Sequence, residues 1–192
     1  EFKMFQGVMV DSIAVDMERS GNLQSRVNVV AQGDNGGLAA SEAGSLADLT
    51  IKRFGQFNGS ILRNGVQLAN VTRGSFTYSN NLDRIGTIRD DGLIDGADPS
   101  QADMTGSIMV RFADTTLVDQ AVNGTACSLT FGWSLASGEE LTVTAHEVYL
   151  PRPRIGLTGP GGVEATFEWQ AALNAAEDCM ATIVLTNETA SY

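Results

Sequence analysis

Phe5-Gln6-Gly7-Val8-Met9-Val10-Asp11-Ser12-Ile13-Ala14-Val15-Asp16-Met17-Glu18 decides the fold class, because Val8, Val10, Ile13, Val15 and Met17 return at nearly every second position. A period of two marks a strand with one face buried. The one slip, between Val10 and Ile13, falls at Asp11-Ser12 and reads as a bulge. Ser20-Gly21-Asn22 signals a turn, and residues 23–33 resume as a strand through Val27 and Val29. The two runs therefore read as a long hairpin.

The same period recurs downstream. Ile61-Leu62-Arg63, Asn64-Gly65 and Val66-Gln67-Leu68 spell a tight hairpin, since Asn-Gly suits a type I′ turn whose central residues both need positive φ. Further strands are expected over residues 71–79, with Phe76 and Tyr78 on one face, and over 105–112, 126–135, 139–150, 163–173 and 179–186. Turn signals sit at Ala136-Ser137-Gly138 and at Thr158-Gly159-Pro160-Gly161-Gly162, the second following the stiff Pro151-Arg152-Pro153-Arg154. Residues 114–123 are the best helix candidate: Leu117, Val118, Ala121 and Val122 share a face, and Asn123-Gly124 supplies a stop. Asp34-Asn35-Gly36-Gly37 breaks the pattern, and residues 38–49, rich in Ala, Ser and Gly, read as loop with at most a weak helical turn. The expected architecture is an all-β, mainly antiparallel sandwich or barrel with one short flanking α-helix and a long acidic loop, in a single domain over residues 1–192.

Composition bounds the function. Hydrophobic residues make up 43% of the 192 and charged ones 18%, enough for a real core. No apolar run approaches the length of a membrane span and no basic-then-apolar signal opens the chain, so no membrane insertion is expected. Asp+Glu 23 against Lys+Arg 12 gives a net charge of −11. Gripping nucleic acid needs clustered Lys and Arg, so this balance argues against it. It does not argue against DNA sliding past, because a negative wall repels phosphate. Acidity also keeps an abundant protein dispersed. Glu1-Phe2-Lys3-Met4-Phe5 starts in strand-like sequence without an initiator Met, and a further portion of the protein is expected to precede it.

Residues 83–104 stand apart, being acidic, glycine-bearing and poor in large apolar groups. A loop of this length inside a compact domain is uncommon and is usually functional. As a calcium loop it fails: from Asp90 the third and fifth positions are Gly92 and Ile94, and from Asp91 the third is Leu93. His146, the single histidine, lies in a strand pattern beside Val143 and Ala145 and reads as structural. Cys127 and Cys179, each in an apolar strand pattern, read as two buried free thiols, with a disulfide between them the second reading; with one histidine they make no metal site. No G-x-S-x-G occurs, and Gly159-Pro160-Gly161-Gly162 lacks the Lys-Ser/Thr and helix of a phosphate loop. Glu139-Glu140 and Asp90-Asp91 could support glycoside hydrolysis, but the only tryptophan platforms, Trp133 and Trp169, lie in strand patterns. No catalytic, cofactor or metal residue is assigned, and no enzymatic activity is expected.

Three stretches carry a family resemblance. Gly7-Val8-Met9-Val10-Asp11-Ser12-Ile13 with Gly21 forms the first; Ser75-Phe76-Thr77-Tyr78-Ser79-Asn80-Asn81-Leu82, the loop, and Met104-Thr105-Gly106-Ser107-Ile108-Met109-Val110-Arg111-Phe112 form the second. The third runs from Leu150-Pro151-Arg152-Pro153-Arg154-Ile155 through Gly161-Gly162-Val163, Phe167 and Ala171-Ala172 to Ile183-Val184-Leu185-Thr186-Asn187. In pattern and order they resemble the major tail tube proteins of long-tailed bacteriophages, over nearly the whole chain. Members usually carry additional strands before the point where Glu1 begins. The resemblance implies a structural virion protein, made in the host cytoplasm, whose hexameric rings stack into a tail tube and conduct double-stranded DNA at ejection. Implied partners are further copies of itself and the tail terminator, tape measure and tail tip proteins, with no cofactor. The 83–104 loop becomes a candidate arm to a neighbouring subunit or ring, through Asp83, Arg84, Arg89, Asp90, Asp91, Asp95 and Asp98. Asp11, Asp16 and Glu18, carboxylates of the first hairpin, are candidates to face the lumen. Competing readings are another virion or surface β-sandwich, such as a head decoration or carbohydrate-binding adhesion module, and a hydrolase of unknown type.

Overall fold

A computed structural model describes residues 2–41, 44, 51–111, 115–153 and 163–188. The alternating sequence becomes strands β1 (Phe5–Gln6), β2 (Met9–Met17), β3 (Gln24–Val30) and β4 (Gly33–Asp34). A 3-10 turn at Gln56–Asn58 leads into β5 (Gly59–Arg63) and β6 (Val66–Gln67). Asn64 and Gly65 join them at φ 49° and 77°, as the tight turn requires. Then come β7 (Val71–Ser79), β8 (Asp83–Ile85), β9 (Gly96–Asp98) and β10 (Asp103–Arg111). Helix α1 (Thr116–Asn123) precedes β11 (Cys127–Ser134), β12 (Glu140–Tyr149), β13 (Glu164–Ala172) and β14 (Ala181–Thr186). The fold is mainly antiparallel β with one short helix, as the sequence leads one to expect.

Several local features add to the expectation. Strand β2 spans the Asp11-Ser12 slip, with Ser12 buried and then Val15 and Met17. The 83–104 loop folds back on itself, pairing β8 with β9 at Asp83↔Asp98, Arg84↔Ala97 and Ile85↔Gly96. α1 stops at Gly124, whose φ of 63° permits a left-handed cap. Leu117 and Ala121 are buried as expected, but Gln120 takes the inward place expected for Val122, which is 47% exposed. Gln120 is satisfied there: Arg63 Nη1 donates to its Oε1, and its Nε2 donates to the Thr125 carbonyl at 3.2 Å. A buried amide with partners is no liability. Cys127 is buried and free, whereas Cys179 is partly exposed and precedes the last strand. The expected turn at 158–162, residues Arg154 and Phe112, and most of the 38–49 segment lie outside the described residues.

Ten strands form one sheet in the order β3-β2-β7-β10-β13-β12-β11-β5-β6, with β14 also on β12. The chain divides into two compact units. The larger comprises residues 14–25, 53–77 and 103–192. Within it β11 pairs with β12 along one edge, while the other edge of β12 is shared by β14, at residues 140–145, and β13, at residues 147–149. Two layers follow. Phe76, Ile108, Phe167 and Trp169 of β7, β10 and β13 face Ile61, Leu129, Phe131 and Val143 of β5, β11 and β12, all buried. The Phe131 ring is central, 5.1 Å from Phe76 and 5.9 Å from Trp169 between centroids. Gly106 lies under the Trp169 indole, and a Cβ there would stand 2.1 Å from the Ser75 carbonyl oxygen.

The smaller unit comprises residues 1–13, 26–52 and 78–102. It contains the β1–β4 and β8–β9 pairs and the Ser12 hydroxyl accepting from Asn28 Nδ2 at 2.8 Å.

Replacing Phe131 by Ala removes the ring both layers pack on. The expected loss is about 3–5 kcal/mol of unfolding free energy, measured by urea denaturation. A loss under about 1 kcal/mol, the level of a surface change, would remove Phe131 from the centre of the core.

Candidate assembly surfaces

The smaller unit leaves its apolar side chains uncovered. Phe2, Phe5, Val8, Val10, Val27 and Val29 are 42–59% exposed, while Val30 and Ala97 are its buried apolar residues among those described. Val8 with Val10, and Val27 with Val29, are two apart, so each pair repeats on one side of its segment. In a unit with so few buried apolar residues, these exposed side chains are candidate contact surface.

In the larger unit β14 presents a second such surface. Its residues Ile183, Val184 and Leu185 are 56%, 50% and 53% exposed. Consecutive strand residues point to opposite faces, so neither face of β14 is covered. β12 is its one strand partner among the described residues. Ala181-Thr182-Ile183-Val184-Leu185-Thr186 carries no Lys, Pro or acidic residue to guard the outer edge.

The acidic arm is built around one arginine. Arg89 donates from Nε to Asp91 Oδ1 at 2.9 Å and from Nη2 to Asp91 Oδ2 at 2.6 Å, a bidentate pair, and from Nη1 to Asp95 Oδ1 at 2.7 Å. The Leu93 amide adds a bond to Asp91 Oδ1 at 3.1 Å. Hydrogen bonds from Arg89, then from Leu93, lower the Asp91 carboxyl to about 2, and the same carboxylate raises Arg89 above its ordinary range. The returning limb is seated by Leu93, whose Cδ2 lies 2.2 Å from where a Cβ on Gly33 would be, so a side chain there would displace the leucine tip. Of the expected arm residues, the fold thus gathers Arg89, Asp91 and Asp95. It sets Asp83 opposite Asp98, two exposed like charges, and leaves Arg84 and Asp90 exposed without an ion pair among the described residues.

Asp11 is half-buried, and its Oδ1 accepts the Leu82 amide at 3.0 Å. Its carbonyl accepts the Asn80 amide at 2.7 Å, so Asp11 fixes the root of the arm. Asp16 and Glu18 are exposed, and Glu18 pairs with Arg73 at 3.0 Å. Beside Arg73 on the outward side of β7, Ser75 shares a 3.0 Å hydroxyl contact with Ser107. His146 Nε2 bonds the Thr182 hydroxyl at 2.7 Å, linking β12 to β14. Trp133 and Trp169 are both core residues, 1% and 3% exposed. Among the described residues no three His, Cys, Asp or Glu side chains gather as a metal site.

The features that stand out are therefore uncovered strand and apolar surface, not a cleft of converging reactive groups. Residues 1–171 match the family model described as phage tail tube protein. The chain belongs to the phage tail tube protein family. No individually curated protein matches it. The family is a structural one, so the surfaces above belong to a virion tail component that assembles with other tail proteins. The apolar run over residues 179–186 marks a strand but not its unpaired edge. The one local signal was the uninterrupted Ile183-Val184-Leu185, which alternation with a buried face would not produce.

The Asp91 carboxyl is depressed in the folded arm, so its stabilising effect is present above the ordinary carboxylate range and is lost as pH falls through about 2. In Arg89→Ala the Asp91 titration midpoint, followed by carboxyl-carbon NMR, is expected to rise from about 2 toward about 3.9. An unchanged midpoint would exclude the clamp as its cause.

Proposed function

We propose that this chain is the subunit of hexameric rings that stack into the phage tail tube, and that the tube is the conduit for double-stranded DNA at ejection. The observation that supports this most is the combination, in a tail tube family member, of an unguarded strand edge at β14 with an apolar small unit. An open edge of this kind aggregates unless it is paired in a defined geometry. Joining edges around a ring removes them, as closure does in any barrel. Head-to-tail contacts that close after a fixed number of copies give a ring, and stacking of rings gives a tube. Tail terminator and tail tip proteins then cap the two ends, and the tape measure protein occupies the bore before DNA.

The net charge of −11 suits a conduit, since acidic walls repel a polyanion and leave it free to move. Asp16 and Glu18, exposed on the first hairpin, are the proposed lumen carboxylates, with Asp11 adding charge from a fixed position. The arm over residues 83–104 is the proposed contact to a neighbouring subunit or ring.

Negative-stain electron microscopy of the purified protein at high concentration is expected to show rings or tubes with an open bore. Dispersed monomers at every concentration, even with tail-tip initiators present, would overturn the reading. Charge reversal by Asp16→Lys with Glu18→Lys is expected to leave tube assembly intact and slow DNA release from reconstituted virions. Unchanged release would reject the lumen assignment.

A further inference from the structure

Ile88 stands at the tip of the arm as exposed as in an open chain, at 106%. Covering a large aliphatic group that stands wholly in solvent is favourable, because its apolar area leaves water. The tip is not slack. The next residue, Arg89, is tied by three hydrogen bonds to Asp91 and Asp95, so a braced turn presents a single apolar knob. Beside it Asp90 carries a carboxylate with no ion pair among the described residues, because Asp91 and Asp95 take the Arg89 fork.

The larger unit holds a cavity of matching character. It has about 210 Å³ of free space beside α1 and is lined by Val66, Leu68, Leu117 and Phe167, with Arg63 and Arg111. Neither guanidinium has a carboxylate partner among the described residues; Arg63 spends a donor on the neutral Gln120 amide. In a chain with 23 acidic and 12 basic residues, two such arginines beside one apolar hollow call for an acidic partner with an apolar tip. The arm supplies both features.

We propose that Ile88 of one copy seats in the α1 cavity of a second copy, with Asp90 set against Arg111. This rests on the tail tube reading and names the partner surface of the arm. Burial of the isoleucine provides attraction, and the charge pair fixes which copy and which orientation are accepted. Knob and hollow are different surfaces of one chain, so the contact is head-to-tail and can propagate through rings or between them.

Three changes to the full chain test the docking. Ile88→Ser, at a fully exposed site, is expected to leave the urea unfolding midpoint unchanged while raising the concentration for half-maximal tube formation about tenfold. Arg111→Asp is expected to impair assembly in the same way, and adding Asp90→Arg to that chain to restore it. In tubes carrying Ile88→Cys and Val118→Cys, oxidation is expected to link chains into covalent ladders. A wild-type protein that never forms tubes would overturn the tail tube reading itself, and this inference with it. Wild-type tubes matched by Ile88→Ser tubes at equal concentration, with no rescue by the reversed pair and no ladder, would overturn the docking alone.

Discussion

The larger unit depends on how one edge of β12 is shared. β11 occupies one side of that strand, and the other side bonds β14 over residues 140–145 and β13 over residues 147–149. A backbone group pairs in a ladder once, so β13 and β14 cannot both run the length of β12. The sheet parts there into two layers, which enclose Phe131 between Phe76 and Trp169. The same parting leaves β14 at the margin, with β12 as its one strand partner among the described residues. The core and the open edge thus have one origin.

The balance of burial differs between the units. The larger one removes aromatic and aliphatic side chains from water on both layers, at roughly 1.5–3 kcal/mol for each large residue. The smaller one buries little apolar surface and shows much of it. It is organised instead by backbone and polar contacts: Asp11 with Leu82 and Asn80, Asn81 with the Gln101 carbonyl, and the Arg89 clamp. An element held by such contacts, with its apolar surface still uncovered, is suited to gain its remaining stability from association. That is the pattern of a protein built for assembly, and membership of the tail tube family accords with it.

Charge has separate tasks in different places. In the arm it is internal: Asp91 and Asp95 share the Arg89 guanidinium, so the acidic composition of residues 83–104 produces a shaped turn. Asp11 is also structural, though its position on an alternating strand suggested an outward carboxylate. Asp16 and Glu18 keep their exposure.

The sequence by itself determined most strand positions, the Asn64-Gly65 hairpin, the helix stop at Gly124 and the acidic arm. Each of these rests on local physics: a period of two, positive φ at Asn or Gly, or composition over a short window. The resemblance to tail tube proteins was legible for the same reason, since the order of such elements is written along the chain. Tertiary structure alone decided that Gln120 rather than Val122 turns inward, that Cys179 is not buried, and that Asp11 anchors Leu82. It also decided that Arg89 gathers Asp91 and Asp95, and that Ile183, Val184 and Leu185 form an open edge. Those outcomes depend on which partner arrives from far along the chain to satisfy or cover a group, and a local period carries no record of that.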